Sequence, residues 1–302
     1  MINHKQILSK LKSFKNLYEL TKAIQLVALS KLRALKKKEL NRFFNPFNYL
    51  FNTKKYKNIS NNSTYLYIPI TTDRSCCGSI NNVILDIMKN EIQLNKTSFY
   101  IFLIGKKGKS FTKKFYNNEL IYNITNLTKY NLSIITTTIL LEKIDEISTE
   151  LNIDNYIFIF NFFKNIVTQV PASLNYISFK SFKNNLDLII NKFSYLTNVL
   201  ENKSDYFLKD LYDFSLLSLL IKILYENEMS EYGARASSMR NASKNAEELI
   251  AKLQLQYNKA RQGSITNELI EIISCVNSIM SSDNLDKYSF YLQYVHTIDE
   301  NK

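Results

Sequence analysis

Residues able to do chemistry are few in this chain, and their spacing matches no catalytic constellation. Asp73 and Arg74 follow an apolar run and precede a helical one, a position where open α/β sheets often hold nucleotides. Yet no G-x-G-x-x-G and no G-x-x-x-x-G-K-[ST] occurs, and GKKGK at 105–109 reads as a basic turn. Without those glycines, backbone N–H groups cannot close around a phosphate. Cys76 and Cys77 have no histidine near them in sequence to activate a thiolate. With Cys275 they make three cysteines, too few for a disulfide scaffold, and a reduced compartment follows. The two histidines, His4 and His296, stand at opposite ends of the chain, so a zinc site is not expected. Asp73, Arg74 and Gly78 read instead as a salt-bridged turn that shapes a domain.

The elements that carry these residues begin with a helix. From Ile7 to about Leu40 nothing breaks one, and Ile7, Leu11, Phe14, Tyr18, Thr21, Gln25, Ala28, Leu32 and Leu35 recur in steps of four and three. That is the seam of a coiled coil. Residues 41–63, with Pro46 and an Asn/Ser cluster, predict a break. TYLYIPIT (64–71), SFYIFLIG (98–105) and YIFIFNFF (156–163) are apolar and aromatic or β-branched, as buried strands are. Helical spacing covers Ser79 to Leu94 and about 137–150, and an extended stretch runs from Val167 to Phe179. Strand–helix–strand alternation predicts a small α/β domain at 58–203.

No proline follows Pro171, and from Ser204 the pattern stays helical to the end. One stripe passes through Leu211, Phe214, Leu217, Ile221 and Leu224. A second runs through Met239, Ala242, Ala246, Leu249, Leu253, Tyr257 and Ala260, and a third through Ile265, Leu269, Ile272, Val276 and Ile279. A single helix from Leu208 to Met280 is roughly 110 Å long at 1.5 Å per residue. Such an element must protrude or pair with the N-terminal helix. The organisation expected is 1–57 helix and linker, 58–203 central domain, and 204–302 second long helix with an extension.

A net charge of +12 invites a nucleic-acid or membrane partner, but the abundance of Asn, Lys, Ile, Tyr and Phe points to A+T-rich coding. The charge is concentrated: residues 1–57 hold fourteen Lys and Arg against Glu19 and Glu39. The C-terminal helix is mixed, with Glu226, Glu228, Glu231, Glu247 and Glu248. The first residues, basic and nearly free of acids, also fit an uncleaved mitochondrial address. No window reaches the ~18 apolar residues of a membrane span.

Three stretches resemble the central-shaft (gamma) subunits of F-type ATP synthases. SFKNLYELTKAIQLVALSKLR is similar to that family's opening helix, and TTDRSCCGSIN to its S-D-R-G-L-C-G-x-x-N turn. The run from Ser230 to Ser274 resembles S-E-x-x-A-R-x-x-A-M-x-x-A-x-x-N-A followed by Y-N-x-x-R-Q-x-x-I-T-x-E-x-x-E-I. Ser75 departs from the family's glycine, Ile24 from methionine and Cys275 from glycine. Paired regulatory cysteines like those of chloroplast members are not seen. The resemblance implies a mixed α and β fold, a long antiparallel coiled coil of N- and C-terminal helices plus a small central Rossmann-like α/β domain. It implies a central rotor shaft coupling a membrane ring to a catalytic ring, with no active site and no cofactor on this chain. Implied partners are the alpha and beta subunits of the catalytic hexamer, delta/epsilon-type stalk subunits and the membrane c-ring, with no nucleic acid and no transmembrane segment. The implied place is the mitochondrial inner membrane, matrix side, or the cytoplasmic membrane face in a bacterium.

Within that resemblance Arg261 and Gln262 fall at the family's contact position for the catalytic ring, with Lys22 and Lys31 as weaker candidates. Ala242, Ala246, Leu249, Leu253 and Ala260 are assigned to shaft packing. Two other readings remain: a basic coiled-coil protein that binds nucleic acid, and a free-standing nucleotide enzyme. The latter is disfavoured by the missing phosphate loop, the former by the charge-mixed second helix and the lack of aromatic stacking motifs. The purified chain is therefore expected to hydrolyse no ATP above contaminant level in a coupled turnover assay; measurable turnover by the chain alone contradicts the shaft reading.

Overall fold

The computed structural model describes residues 4–39, 63–95, 97–127, 133–184 and 205–299, with side chains as far as 279. Pro46, almost all of the expected linker, the edges of the expected central domain and the side chains of 281–302 lie outside the described residues. The chain divides into two compact units, Met1–Leu20 with Ala242–Lys302, and Thr21–Asn241.

Thr21–Asn241 is built on a five-stranded sheet. Its strands are β1 (Tyr65–Pro69), β2 (Phe99–Ile104), β3 (Leu120–Ile124), β4 (Asn155–Phe163) and β5 (Gln169–Ile177), in the order β3-β2-β1-β4-β5. The first four are parallel and β5 is antiparallel to β4. The order 3-2-1-4 is that of a dinucleotide-binding half-fold, so the Rossmann-like expectation describes the sheet. Successive side chains alternate between faces. Leu66, Ile68, Tyr156, Phe158 and Phe160 pack on one side with Leu140 and Ile144 of α4 (Ile134–Glu150) and with Leu216, Leu220 and Ile223 of α6 (Asp205–Asp299). Tyr67, Ile101, Ile157 and Ile159 pack on the other with Ile84, Leu85 and Met88 of α2 (Ile80–Asn95). Helices on both faces explain why the strands read as unbroken apolar runs.

Sequence spacing omitted three short elements: α3 (Lys109–Phe115), β3 and α5 (Phe179–Asn184). β3 is an edge strand with no fully buried residue, and α3 is seven residues long. Neither has enough apolar repeat to stand out. Helix α4 starts three residues before the expected 137, because Ser133 caps it: its Oγ accepts from the Thr136 N–H at 3.3 Å while its own N–H donates to Thr136 Oγ1 at 3.1 Å.

The long helices follow the expected pattern in α1 (His4–Glu39) and shift from it in α6. All nine expected seam residues of α1 are buried or half-buried, with Ala28 and Leu32 nearly inaccessible. Leu32 packs with Met229 and Phe163, Tyr225 donates its hydroxyl to the Leu35 carbonyl, and Lys31 reaches Tyr232. Rising numbers on α1 meet falling numbers on α6, so the pair is antiparallel here. At the start of α6 the stripe is displaced: Leu208, Tyr212, Leu216 and Leu220 face the core, whereas Phe214 is 57% exposed. Apolar residues there lie on more than one face, so spacing carries little phase information.

In the other unit the inward line on α6 runs Ala242, Ala246, Ile250, Leu253, Tyr257, Ala260 and Ser264, in steps of four and three, with Ala246 buried and the rest half-buried. Ile250 takes the place expected for Leu249, which is 42% exposed. Beyond it Ile265, Leu269, Ile272, Val276 and Ile279 continue the spacing but are all exposed. Ala246, 4% exposed, is the tightest point of this line. Ala246→Asp should destabilise the shaft by about 3 kcal/mol or more, because a carboxylate is buried there unpaired. Thermal melting of the assembled complex checks this; wild-type yield with an unchanged midpoint places residue 246 on an open face.

Candidate functional site

The strongest concentration of buried polar groups lies where the parallel strands end. β1 pairs with β4 only as far as Pro69↔Ile159, and the Ile70 N–H closes the ladder on the Ile159 carbonyl at 2.8 Å. β4 runs on for four more residues. Backbone groups of alternate residues point the same way along a strand, so those of Asn161 and Phe163 face the side that β1 has left. Helix α6 supplies the missing partners. The Asn161 N–H donates to Asn227 Oδ1 at 3.1 Å, the Asn161 carbonyl accepts from Ser230 Oγ at 3.0 Å, and the Phe163 N–H donates to Glu226 Oε2 at 3.3 Å. All three side chains are buried. Gly233, one turn on, allows the close approach: a Cβ there would stand 2.9 Å from the Phe163 ring.

This end of the sheet is also the switch point at which β2 and β4 diverge from β1, where such folds bind cofactors. Here α6 fills it. The space left among Thr71, Asp73, Gly105, Asn227 and Glu231 measures about 20 Å³, room for a single water.

The turn after β1 is docked on the same helix. Asn81 ties it from within, accepting from the Thr72 N–H at 2.9 Å and donating to Thr72 Oγ1 at 2.9 Å. Cys76 at φ +68° and Gly78 at φ +64° reverse the chain, which for Gly78 carries no steric cost. Cys77 turns inward beside Ile80 and Ala234. Arg235 donates to its sulfur at 3.0 Å and is ion-paired with Glu231, one turn away, in a buried pair. The ion pair that secures this turn is thus Glu231–Arg235 on α6, while Arg74 is exposed and Asp73 Oδ1 has no hydrogen-bond partner among the described residues. Burial pushes the Cys77 thiol up to about 11, against the pull of Arg235. Among the described residues no cluster could hold a metal ion, and no helix is long and apolar enough to cross a membrane.

The residues named for partner contact are elsewhere. Arg261 and Gln262 are exposed on α6; the Gln262 carbonyl accepts from Thr266 Oγ1 at 2.9 Å. Lys22 and Lys31 are exposed on α1, and Lys31 donates to Tyr232 Oη at 3.4 Å while lying over its ring. Sequence reasoning missed Asn161, Glu226 and Asn227; their signal was a polar residue inside YIFIFNFF and two more in an apolar helical run.

Residues 3–279 match the family described as ATP synthase. The chain is 33% identical over 94% of its length to the ATP synthase F(1) complex gamma subunit, mitochondrial, of Dictyostelium discoideum, covering 94% of that protein. The chain belongs to the ATP synthase gamma-subunit family. Other gamma members are the mitochondrial subunit of Ipomoea batatas, 31% identical over 92% of this chain and 86% of that one, and the gamma chain of Rickettsia prowazekii, 31% identical over 92% and 100%. Among solved structures, a chain of the Euglena gracilis mitochondrial ATP synthase OSCP/F1/c-ring assembly superimposes with TM-score 0.78, at 22% identity, over 93% of this chain and 95% of that one. A chain of the Tetrahymena thermophila central stalk and c-ring gives 0.61 at 25% identity, over 74% and 99%. Ser230, Glu231 and Arg235, which the gamma pattern includes, are among the residues that join the α/β domain to the long helix.

Since the thiolate is the reactive form, Cys77 should resist alkylation at neutral pH while exposed Cys76 and Cys275 react. Mass spectrometry of the native protein treated with iodoacetamide checks this: Cys77 should label only after denaturation, and equal labelling of Cys76 and Cys77 contradicts the docked turn.

Proposed function

We propose that the chain is the central shaft of a proton-translocating F-type ATP synthase, non-catalytic itself, which couples rotation of a membrane ring to conformational change in a catalytic ring. The observation that carries this reading is the pairing of two terminal helices around a Rossmann-like domain whose cofactor crevice is filled by the shaft helix. A helix that occupies the crevice cannot also admit a nucleotide, so the fold serves as a mount. Shaft helices with a packed seam and no internal proline resist unwinding under load.

The specific partners follow from the family. The alpha and beta subunits of the hexamer surround the paired helices. Delta/epsilon-type stalk subunits and the c-ring meet the α/β domain. The work is done at the matrix side of the mitochondrial inner membrane, a reading supported by relatives whose names are mitochondrial. Exposed apolar residues from Ile265 to Ile279 suit a helix that is enclosed by neighbours in the complex. No observation favours the nucleic-acid reading: similarity to gamma subunits spans nearly the whole chain.

Arg261 and Gln262 offer donors to acidic loops of the catalytic ring, Arg261 through a planar fork that matches carboxylates. Neither lies on the half-buried line through Tyr257, Ala260 and Ser264. Replacing both with Ala should leave helix stability unchanged, since alanine is the best helix former. ATP turnover of the complex should fall by about an order of magnitude, the effect of losing one desolvated charge-assisted hydrogen bond. Turnover and melting measured on the same preparation decide it. Unchanged turnover returns both residues to a solvated face, and a lowered melting point with normal turnover assigns them to packing.

A further inference from the structure

The contacts of Glu226, Asn227 and Ser230 perform no chemistry and are more elaborate than burial requires. Leu216, Leu220 and Ile223 already hold α6 to the sheet by apolar packing. Such packing is non-directional, and packed elements can ratchet past one another by a turn. A polar contact behaves differently. If α6 shifts along β4 by one residue or one turn, the Asn161 N–H, the Asn161 carbonyl and the Phe163 N–H each lose a partner where water does not replace it. β1 has ended, so no neighbouring strand can substitute.

We propose that Asn227, Glu226 and Ser230 are positioning residues that lock the register of α6 on β4, and that rotary load passes between shaft and domain through this lock. The inference rests on the rotor reading above. Buried polar groups that specify register at some cost in stability are known from helical assemblies. Under load, the locked register is the one in which these three backbone groups at the end of β4 keep their partners. The adjacent Glu231–Arg235 pair, with Cys77 against it, holds the turn after β1 to the same helix and gives the joint a second point of attachment.

The test uses the reconstituted complex carrying Asn227→Leu with Ser230→Ala, and reads ATP-driven proton pumping and ATP hydrolysis on one preparation. Apolar replacements keep the packing and remove two of the lock's three contacts, those on the Asn161 backbone. Hydrolysis without a proton gradient should stay near wild type. Protons pumped per ATP should fall by about fivefold, the population change that follows loss of one or two buried hydrogen bonds in a two-state register, and more steeply against a larger gradient. Equal loss of pumping and hydrolysis, or an unchanged ratio, overturns the proposal. Should the double variant fail to assemble, Ser230→Ala alone is read by the same ratio, and Ser230→Thr, which keeps the hydroxyl, should restore it. If wild-type complex lacking this chain pumps normally, the rotor reading itself fails, separately from the lock.

Discussion

A strand that outruns its neighbour must find partners for its backbone, and here that requirement organises the molecule. β4 extends four residues past its pairing with β1, so the backbone of Asn161 and Phe163 needs donors and acceptors that no strand supplies. Side chains of α6 provide them. To do so the helix must cross the carboxyl end of the sheet, which fills the cofactor crevice and brings Met229 against Leu32 of α1. The same crossing places Glu231 and Arg235 beside the turn that carries Cys77. One unmet strand edge thus accounts for the filled switch point, the docked turn and the meeting of the two helices.

This arrangement leaves a dinucleotide-type sheet with room for only a single water among the residues at its switch point. The strand order and the helices on both faces are retained, but the glycine-rich phosphate turn is absent and Thr72, Asn81 and Cys77 build a different one. The domain becomes a rigid block around the helix. Aromatic contacts strengthen it further along: the Tyr212 hydroxyl donates to the Ile177 carbonyl at 2.8 Å and that of Tyr176 to Ser215 at 3.1 Å.

Much of this was legible in the residues, unevenly and for physical reasons. The seam of α1 was readable to the residue because its steps of four and three hold along the whole helix, although Leu8, Leu17, Leu20, Leu26 and Val27 are also apolar and lie outside it. At the start of α6 apolar residues occupy more than one face and the helix is buried against the sheet, so neighbouring stripes fit nearly equally: Leu224 of the expected stripe is in the core and Leu211 and Leu217 pack against it, while Phe214 is exposed. Leu249 and Ile250 are adjacent and alike, and only packing selects Ile250. The joint was hidden because Glu226 and Glu231 look like solvated charges on a mixed helix, whereas burial and pairing depend on what lies across from them. Arg261 and Gln262 were nameable by family pattern alone, since an exposed helix face looks the same with or without a partner.

The central claim is that domain and shaft turn as one body within a fixed catalytic ring. With Cys275→Ser in place, exposed Cys76 becomes the reactive thiol on the domain turn and can carry a bead or fluorophore. In complexes immobilised through the catalytic ring and supplied with ATP, the account predicts unidirectional stepwise rotation of that probe. A probe that stays fixed while the same complexes hydrolyse ATP contradicts it.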